Sequence, residues 1–308
     1  MKNVMIAGGT GHIGSSLAKR LVMEGYNVNI LTRNAPKNKA TSLNYIYWDG
    51  ENIGSWTERL NETDIVINLC GKSVDCRYTE SNKLKLIRSR VNATRLLGDA
   101  IVRSERPPRL WINASSSAYY GFSAEAKDEQ ASAGTDFPAR ICVEWEKAFM
   151  GSLTPATRRI AWRLGVVLQP DKGLIKPFER LVKNFLGGKL GSGKQYFTWI
   201  HEEDFLNSAL WTIENTRASG IYNLTSPEPI TNADFMTAMR KAMDVSIGLS
   251  LPERLIRIGG TIIGTEPYLV LDGRRVIPRR LLESGFTFRY ANIQGALDNL
   301  YKRESNGV

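Results

Sequence analysis

Residues 5–21 read "MIAGGTGHIGSSLAKRL". An apolar run ending at Ala7 gives way to Gly8, Gly11 and Gly14, and Ile13, Leu17 and Leu21 then recur at the spacing of a helix face. A strand, a glycine turn and a helix in that order suit the pyrophosphate of a dinucleotide. The first glycine allows the tight turn, the second lets phosphate approach the backbone, and the third lets the helix lie close to the strand. Unpaired N–H groups near His12 and Ile13, where the helix begins, supply the donors. A glycine turn with no ligand is the plainer alternative, and the strand–turn–helix setting weighs against it.

Outward from this unit, further short apolar runs alternate with amphipathic stretches. With Val4–Ala7, the predicted strands are Val28–Leu31, Tyr45–Trp48, Ile65–Leu69, Leu110–Ala114, Ile160–Leu168 and Ile221–Leu224. This alternation predicts an α/β fold, a Rossmann-type doubly wound parallel sheet with a smaller C-terminal substrate lobe. The cofactor-binding domain is expected over residues 1–165, with 196–225 returning to it; 166–195 and 226–308 form the smaller lobe. Along 79–104, Leu84, Ile87, Val91, Thr94 and Ile101 predict a helix packed on the sheet, with Lys83, Lys85, Arg88, Arg90 and Arg95 partly solvated. Further helices are expected at about 202–215 and 231–244. The glycine-rich stretch 186–195, "LGGKLGSGKQ", predicts a mobile or ligand-covering loop.

Composition narrows the function classes. The chain has 308 residues, 42% hydrophobic, with a formal net charge of +10. No apolar stretch approaches the roughly 20 residues of a membrane span, and the opening apolar run is too short for a signal peptide. We therefore expect a cytoplasmic protein with no membrane partner. Three cysteines and two histidines at unrelated spacings predict neither a disulfide framework nor a metal site. The basic excess suits nucleic acid or an anionic ligand, but no aromatic–basic binding module accompanies it, so no nucleic-acid partner is expected. At the end of the second predicted strand, "ILTRNAPKNK" (30–39) carries Thr32, Arg33, Lys37 and Lys39 and no acid. An acid there would bind a ribose 2′-hydroxyl, whereas a guanidinium pairs with a 2′-phosphate. The predicted cofactor is NADP(H); the alternative is that Arg33 is only a solvated loop charge.

Several stretches then resemble one family. "GGTGHIG" (8–14), "INLCG" (67–71), "ASSSAYYG" (114–121), "RLGVVL" (163–168) and "WIHEEDF" (199–205) are similar to the extended short-chain dehydrogenases/reductases, the NAD-dependent epimerase/dehydratase family. "GGKLGSGKQYFTWIHEEDF" (187–205) and "RVIPRRLLESGFTFRY" (275–290) further resemble its YfcH-like group, which carries its own small C-terminal domain. The resemblance implies that Gly8, Gly11, His12, Ile13 and Gly14 hold the pyrophosphate. It puts Thr32 and Arg33 at the adenosine ribose, Asp49 near the adenine edge, and Leu69, Cys70 and Gly71 along the adenosine side of the cleft. For Asp49, an ordinary Asp-Gly turn is an equal alternative.

The resemblance also implies a serine after the fifth strand and a Tyr-x-x-x-Lys pair some 20–25 residues later. A tyrosine of ordinary pKa, about 10, needs a nearby cation to act near neutral pH. Ser116 matches the serine, with Ser115 beside it at the cofactor. No Tyr-x-x-x-Lys occurs anywhere; Pro138 and Cys142 fall where the pair belongs. Tyr120 is the substitute candidate for proton transfer and otherwise a pocket wall. His201 is an acid/base candidate or a structural histidine, Asp204 a brace at the domain junction, and Arg163 an anion holder or an ion-pair partner. The leading expectation is an NADP-dependent oxidoreductase or epimerase-like enzyme, monomer or homodimer, acting on a small-molecule substrate of anionic or sugar-nucleotide-like character. The alternative is a non-catalytic NADPH-binding sensor or scaffold.

Overall fold

The computed structural model describes residues 1–35, 42–170, 172–264 and 266–302. In chain order the first strands are β1 (Asn3–Ala7), β2 (Asn27–Thr32), β3 (Leu43–Tyr47), β4 (Ile65–Asn68), β5 (Leu110–Ser116), β6 (Ser123–Lys127) and β7 (Arg158–Leu164). They continue with β8 (Val166–Leu168), β9 (Tyr196–Phe197), β10 (Trp199–His201), β11 (Gly220–Leu224), β12 (Ile230–Thr231) and β13 (Arg274–Val276). The helices that matter to the site are α1 (His12–Met23), α2 (Glu80–Arg103), α3 (Phe137–Met150), α4 (Lys176–Lys183), α5 (Glu202–Glu214) and α6 (Asn232–Ala242).

Seven strands form one parallel sheet in the order β11-β7-β5-β4-β1-β2-β3. The order reverses between β1 and β4. Crossover connections from these two strands run to opposite sides, which opens a crevice at their carboxyl ends. Alternate residues of β1 feed two cores: Val4 and Ile6 pack with Leu17, Leu21 and Phe205, whereas Met5 and Ala7 pack with Leu97, Trp111 and Phe149. This two-sided burial explains the near-continuous apolar runs in the sequence. A third apolar cluster lies apart and joins Leu168, Phe178, Trp199, Phe235, Met239 and Leu297.

Three local expectations change. The run Ile160–Leu168 is two strands, because at Gly165 the chain leaves the sheet and β8 pairs with β10 instead. A Cβ on Gly165 would sit 3.2 Å from the Thr198 carbonyl oxygen, so glycine permits the crossing. The 186–195 stretch is fastened rather than loose: Leu190 is buried, its N–H donates to Asn232 Oδ1, and Gln195 Nε2 donates to the Leu190 and Val270 carbonyls. On α2, Leu84 is exposed and Leu86 takes the inward position. Arg90, partly exposed, folds back to donate to the Leu86 and Lys72 carbonyls and lies 5.1 Å from the Trp145 ring.

One contact outside the main sheet positions the site. β13 pairs in parallel with β6, and Ser123 N–H donates to the Gly273 carbonyl over 3.1 Å. β6 begins three residues after the turn Ser117–Tyr120 that follows β5. Residues 274–276, far along the chain, therefore lie beside the serine loop.

Candidate functional site

The crevice begins with an anion cradle at the start of α1. Gly8 has φ +81, and its N–H-bearing turn closes when Gly11 N–H donates to the Gly8 carbonyl over 3.1 Å. Glycines 8 and 14 are required by the fold itself. A Cβ on Gly8 would lie 2.9 Å from the Leu69 backbone, and one on Gly14 would lie 2.5 Å from the Gly8 oxygen. Gly11 differs: φ is −73, and a Cβ there would meet only the Gly8 oxygen at 3.4 Å. Internal packing gives no reason for its missing side chain. Gly11 and His12 are exposed, Ile13 is half-buried, and no side chain caps the helix. The first-turn N–H groups thus face a space open to an anion, which is the fit a pyrophosphate needs.

Thr32 and Arg33 follow β2 at the same end of the sheet. Thr32 Oγ1 donates to the Asn34 carbonyl and shapes the turn. Arg33 is exposed and lies within electrostatic reach of the Cys70 thiol. Lys37 and Lys39 lie outside the described residues. Asp49 is engaged by its own turn: its carboxylate accepts from Glu51 N–H, Asn52 N–H and Asn52 Nδ2, each at 2.8 Å. Those bonds, the Asn52 side chain foremost, hold its pKa below the ordinary carboxylate range. Leu69 N–H bonds to the Ala7 carbonyl, which sets the β4 loop against β1. Cys70 follows with its thiol pushed up to about 12 by burial, hence neutral. Gly71 is exposed, and a Cβ there would meet the Arg90 guanidinium at 2.9 Å.

The two serines diverge because β5 alternates. Ser115 points inward, where its hydroxyl donates to Glu146 Oε1 over 2.6 Å; it does not face the crevice. Ser116 is partly exposed and its Oγ accepts from Ala118 N–H, which leaves its own proton free to donate outward. Tyr120 is buried, donates to Asn223 Oδ1 (2.7 Å) and accepts from Arg163 Nη1 (2.9 Å). Burial pushes its pKa up to about 12 despite the neighbouring arginine. A phenol so held has no proton to offer a substrate, which corrects the expectation that Tyr120 is catalytic. Arg163 likewise serves the fold: it forms a buried, two-pronged ion pair with Glu146 and stacks 3.3 Å over the Tyr119 ring. This line, Ser115–Glu146–Arg163–Tyr120–Asn223, ends at the Ile277 carbonyl, to which Asn223 Nδ2 donates.

On α3, Asp136 caps the helix by accepting from Ala139 N–H, and Pro138 sits in the first turn. Cys142 is buried with its thiol raised to about 11 by that burial, and it receives the Ser116 backbone N–H. No lysine stands there. Two arginines from other elements, Arg90 on α2 and Arg274 on β13, lie within electrostatic reach of the Cys142 thiol instead. Tyr78, whose ring packs edge-on to Phe137 at 5.1 Å, is within reach of the same two arginines. Sequence reasoning missed Tyr78 and Arg274. The Arg-Arg pair at 274–275 was the available signal, and it was submerged in a generally basic segment. His201 is buried, accepts from Glu203 N–H through Nδ1 and stacks on Tyr290 at 3.9 Å. Asp204 accepts from the N–H groups of Arg289 and Tyr290, bracing α5 to the C-terminal segment. These contacts set both residues at the join between α5 and the C-terminal segment, with His201 Nε2 buried and without a hydrogen-bond partner among the described residues.

Among the described residues, no helix is long and apolar enough to cross a membrane, and no three His, Cys, Asp or Glu side chains gather as for a metal. The model of the NAD dependent epimerase/dehydratase family matches residues 4–225, and a domain of unknown function, DUF1731, matches 251–300. An epimerase family protein of Staphylococcus epidermidis is 32% identical over 304 residues, covering 98% of this chain and 100% of its own. The crystal structure of the human epimerase family protein SDR39U1 (isoform 2) with NADPH is similar, with TM-score 0.84 and 28% identity over 97% of this chain and 99% of that one. The nucleoside-diphosphate sugar epimerase of Corynebacterium glutamicum has TM-score 0.78 and 28% identity, covering 98% of this chain and 58% of that one.

Proposed function

The chain belongs to the NAD-dependent epimerase/dehydratase family, and from that premise we propose that it binds NADP(H) and acts as an oxidoreductase or epimerase-like enzyme on a small anionic or sugar-nucleotide-like molecule. The observation that carries this reading is Gly11, whose missing side chain is not required by internal packing and leaves the start of α1 open. Gly8, Gly11 and the first turn of α1 hold the pyrophosphate, with His12, Ile13 and Gly14 supplying backbone. Arg33 meets the 2′-phosphate. The human relative crystallised with NADPH supports the choice of phosphate-bearing cofactor. When bound, the nicotinamide supplies or accepts a hydride. Ser116 contributes a hydroxyl donor that steadies the substrate oxygen. Residues 1–165 with 196–225 form the cofactor-binding part, and 166–195 with 226–308 the substrate lobe, in a cytoplasmic monomer or homodimer. The third apolar cluster, drawn mainly from 166–195 and 226–308, supports that division, although Trp199 and Phe197 from the 196–225 segment also join it.

The deciding experiment is a titration of the protein with NADPH and with NADH, repeated on Arg33→Ala. NADPH binds more tightly, and the substitution weakens NADPH about tenfold to a hundredfold while leaving NADH nearly unchanged. Tighter NADH binding, or no loss in the variant, overturns the cofactor assignment. A second reading, an NADPH-binding sensor or scaffold without turnover, is favoured by the sequestered Tyr120 and by Cys142 at the lysine's place. Tight NADPH binding with no turnover across a panel of carbonyl and sugar-nucleotide substrates selects it.

A further inference from the structure

Arg274 is an incompletely partnered arginine beside the serine loop. Its Nε is buried with no hydrogen-bond partner among the described residues, and its guanidinium forms no ion pair there. The other inward-facing arginines are engaged: Arg90 with two carbonyls, Arg158 with the Thr212, Asn215 and Ala218 carbonyls, Arg163 with Glu146, and Arg280 with the Ser219 and Ile221 carbonyls. A buried N–H left unpaired costs stability, so a fold retains one where something else satisfies it.

The groups around Arg274 leave its Nε–H unpaired among the described residues. Asp136 attracts the guanidinium electrostatically but forms no ion pair with it among the described residues, its oxygens being engaged by backbone: Oδ1 accepts from Ala139 N–H and Oδ2 from Phe122 N–H. Asp272 has Oδ2 buried without a hydrogen-bond partner among the described residues; burial raises its pKa, and the Arg274 and Arg257 guanidinium groups oppose that shift. Cys142 and Tyr78 are kept neutral by burial. The Phe122 ring, 5.4 Å from the guanidinium carbon, forms an apolar wall. Through the pairing of β13 with β6, this cation stands beside the loop that carries Ser116.

We propose that Arg274 receives an oxyanion of the substrate, a carboxylate or a phosphate, at the Ser116 end of β5. A guanidinium offers a planar fork of donors that matches either group in two parallel bonds. Asp272, whose Oδ2 is buried without a hydrogen-bond partner among the described residues, adds a hydrogen-bonding group beside it. Anion recognition is thus contributed by the C-terminal segment, while the dinucleotide cradle belongs to the sheet. The proposal deepens the functional reading above and rests on it only for the identity of the pocket's other occupant.

The test follows the Nε–H resonance of Arg274 by NMR in protein saturated with NADPH, so that the α1 cradle is filled. The resonance is assigned by its loss in Arg274→Gln. Malonate and inorganic phosphate are titrated separately against a chloride control, which distinguishes the carboxylate from the phosphate source. A saturable shift with one or both probes is expected, with binding about tenfold to a hundredfold weaker in Arg274→Gln when followed on neighbouring backbone amides, and with NADPH affinity unchanged. No saturable shift, or equal binding by the variant, overturns the proposal. If the protein fails to bind NADPH, the cofactor reading falls, and the same titration without cofactor still decides the role of Arg274.

Discussion

The phenol of Tyr120 donates a 2.7 Å hydrogen bond to Asn223, a residue 103 positions further along the chain. Asn223 in turn holds the Ile277 carbonyl, so Tyr120 ties the sheet to the C-terminal segment. Replacing it with phenylalanine leaves the Asn223 oxygen and one Arg163 N–H unsatisfied in the interior. Tyr120→Phe is expected to lose about 1–3 kcal/mol of stability in urea unfolding, with NADPH affinity retained. Undiminished stability together with abolished hydride exchange would show instead that the phenol acts in chemistry.

Glu146 and Arg163 make a buried pair in which Nη2 lies 2.7 Å from Oε2 and both side chains are nearly inaccessible. Their mutual attraction and hydrogen bonds offset the cost of taking both charges out of water, but only while both are present. Glu146→Gln strands the guanidinium and is expected to cost about 3–5 kcal/mol, read as a lower midpoint in urea. A loss below about 1 kcal/mol, the scale of a surface pair, would contradict this account.

His201 gives a pH dependence with a definite sign. Burial lowers its pKa from 6.5 to about 4, so the folded protein holds it neutral while the unfolded chain protonates it. Stability from this residue is fully present above pH 6.5 and is lost as pH falls toward 4, by about 3 kcal/mol in all. His201→Asn keeps a side chain able to cap α5 and removes the titration. Its unfolding free energy is expected to fall less steeply than that of the parent between those limits. Parallel curves would remove His201 as the cause.

The seven strands and the phosphate turn were legible because short-range periodicity and glycine spacing encode them. The break at Gly165 was not, since it depends on Thr198, 33 residues away. Four arginines in the 274–280 segment look alike in sequence, yet each meets a different fate. Arg275 is exposed near Tyr196, Arg279 pairs with Asp128 and Glu283, Arg280 donates to carbonyls, and Arg274 turns inward unpaired. The register of β13 against β6 separates Arg274 from Arg275, and the helical turn Arg279–Glu283 places the other two; register is a tertiary property. Buried asparagines were equally hidden: Asn68 and Asn113 interrupt apolar strands to join each other, Thr94 and Trp145 behind the crevice.

Glycines 11 and 14 separate ligand binding from folding. An alanine at 11 fits the extended backbone there and meets nothing closer than 3.4 Å, so stability should stay within about 0.5 kcal/mol of the parent. The added methyl stands where the pyrophosphate approaches, and NADPH affinity is expected to fall about tenfold or more. An alanine at 14 must instead displace backbone, with Gly8 O at 2.5 Å and Gly9 Cα at 2.8 Å. It is expected to destabilise by about 1–3 kcal/mol or more through overpacking. Urea unfolding and NADPH titration on both variants read the two effects separately. Unchanged NADPH affinity in Gly11→Ala, at unchanged stability, would mean that the phosphate does not approach α1 at this residue.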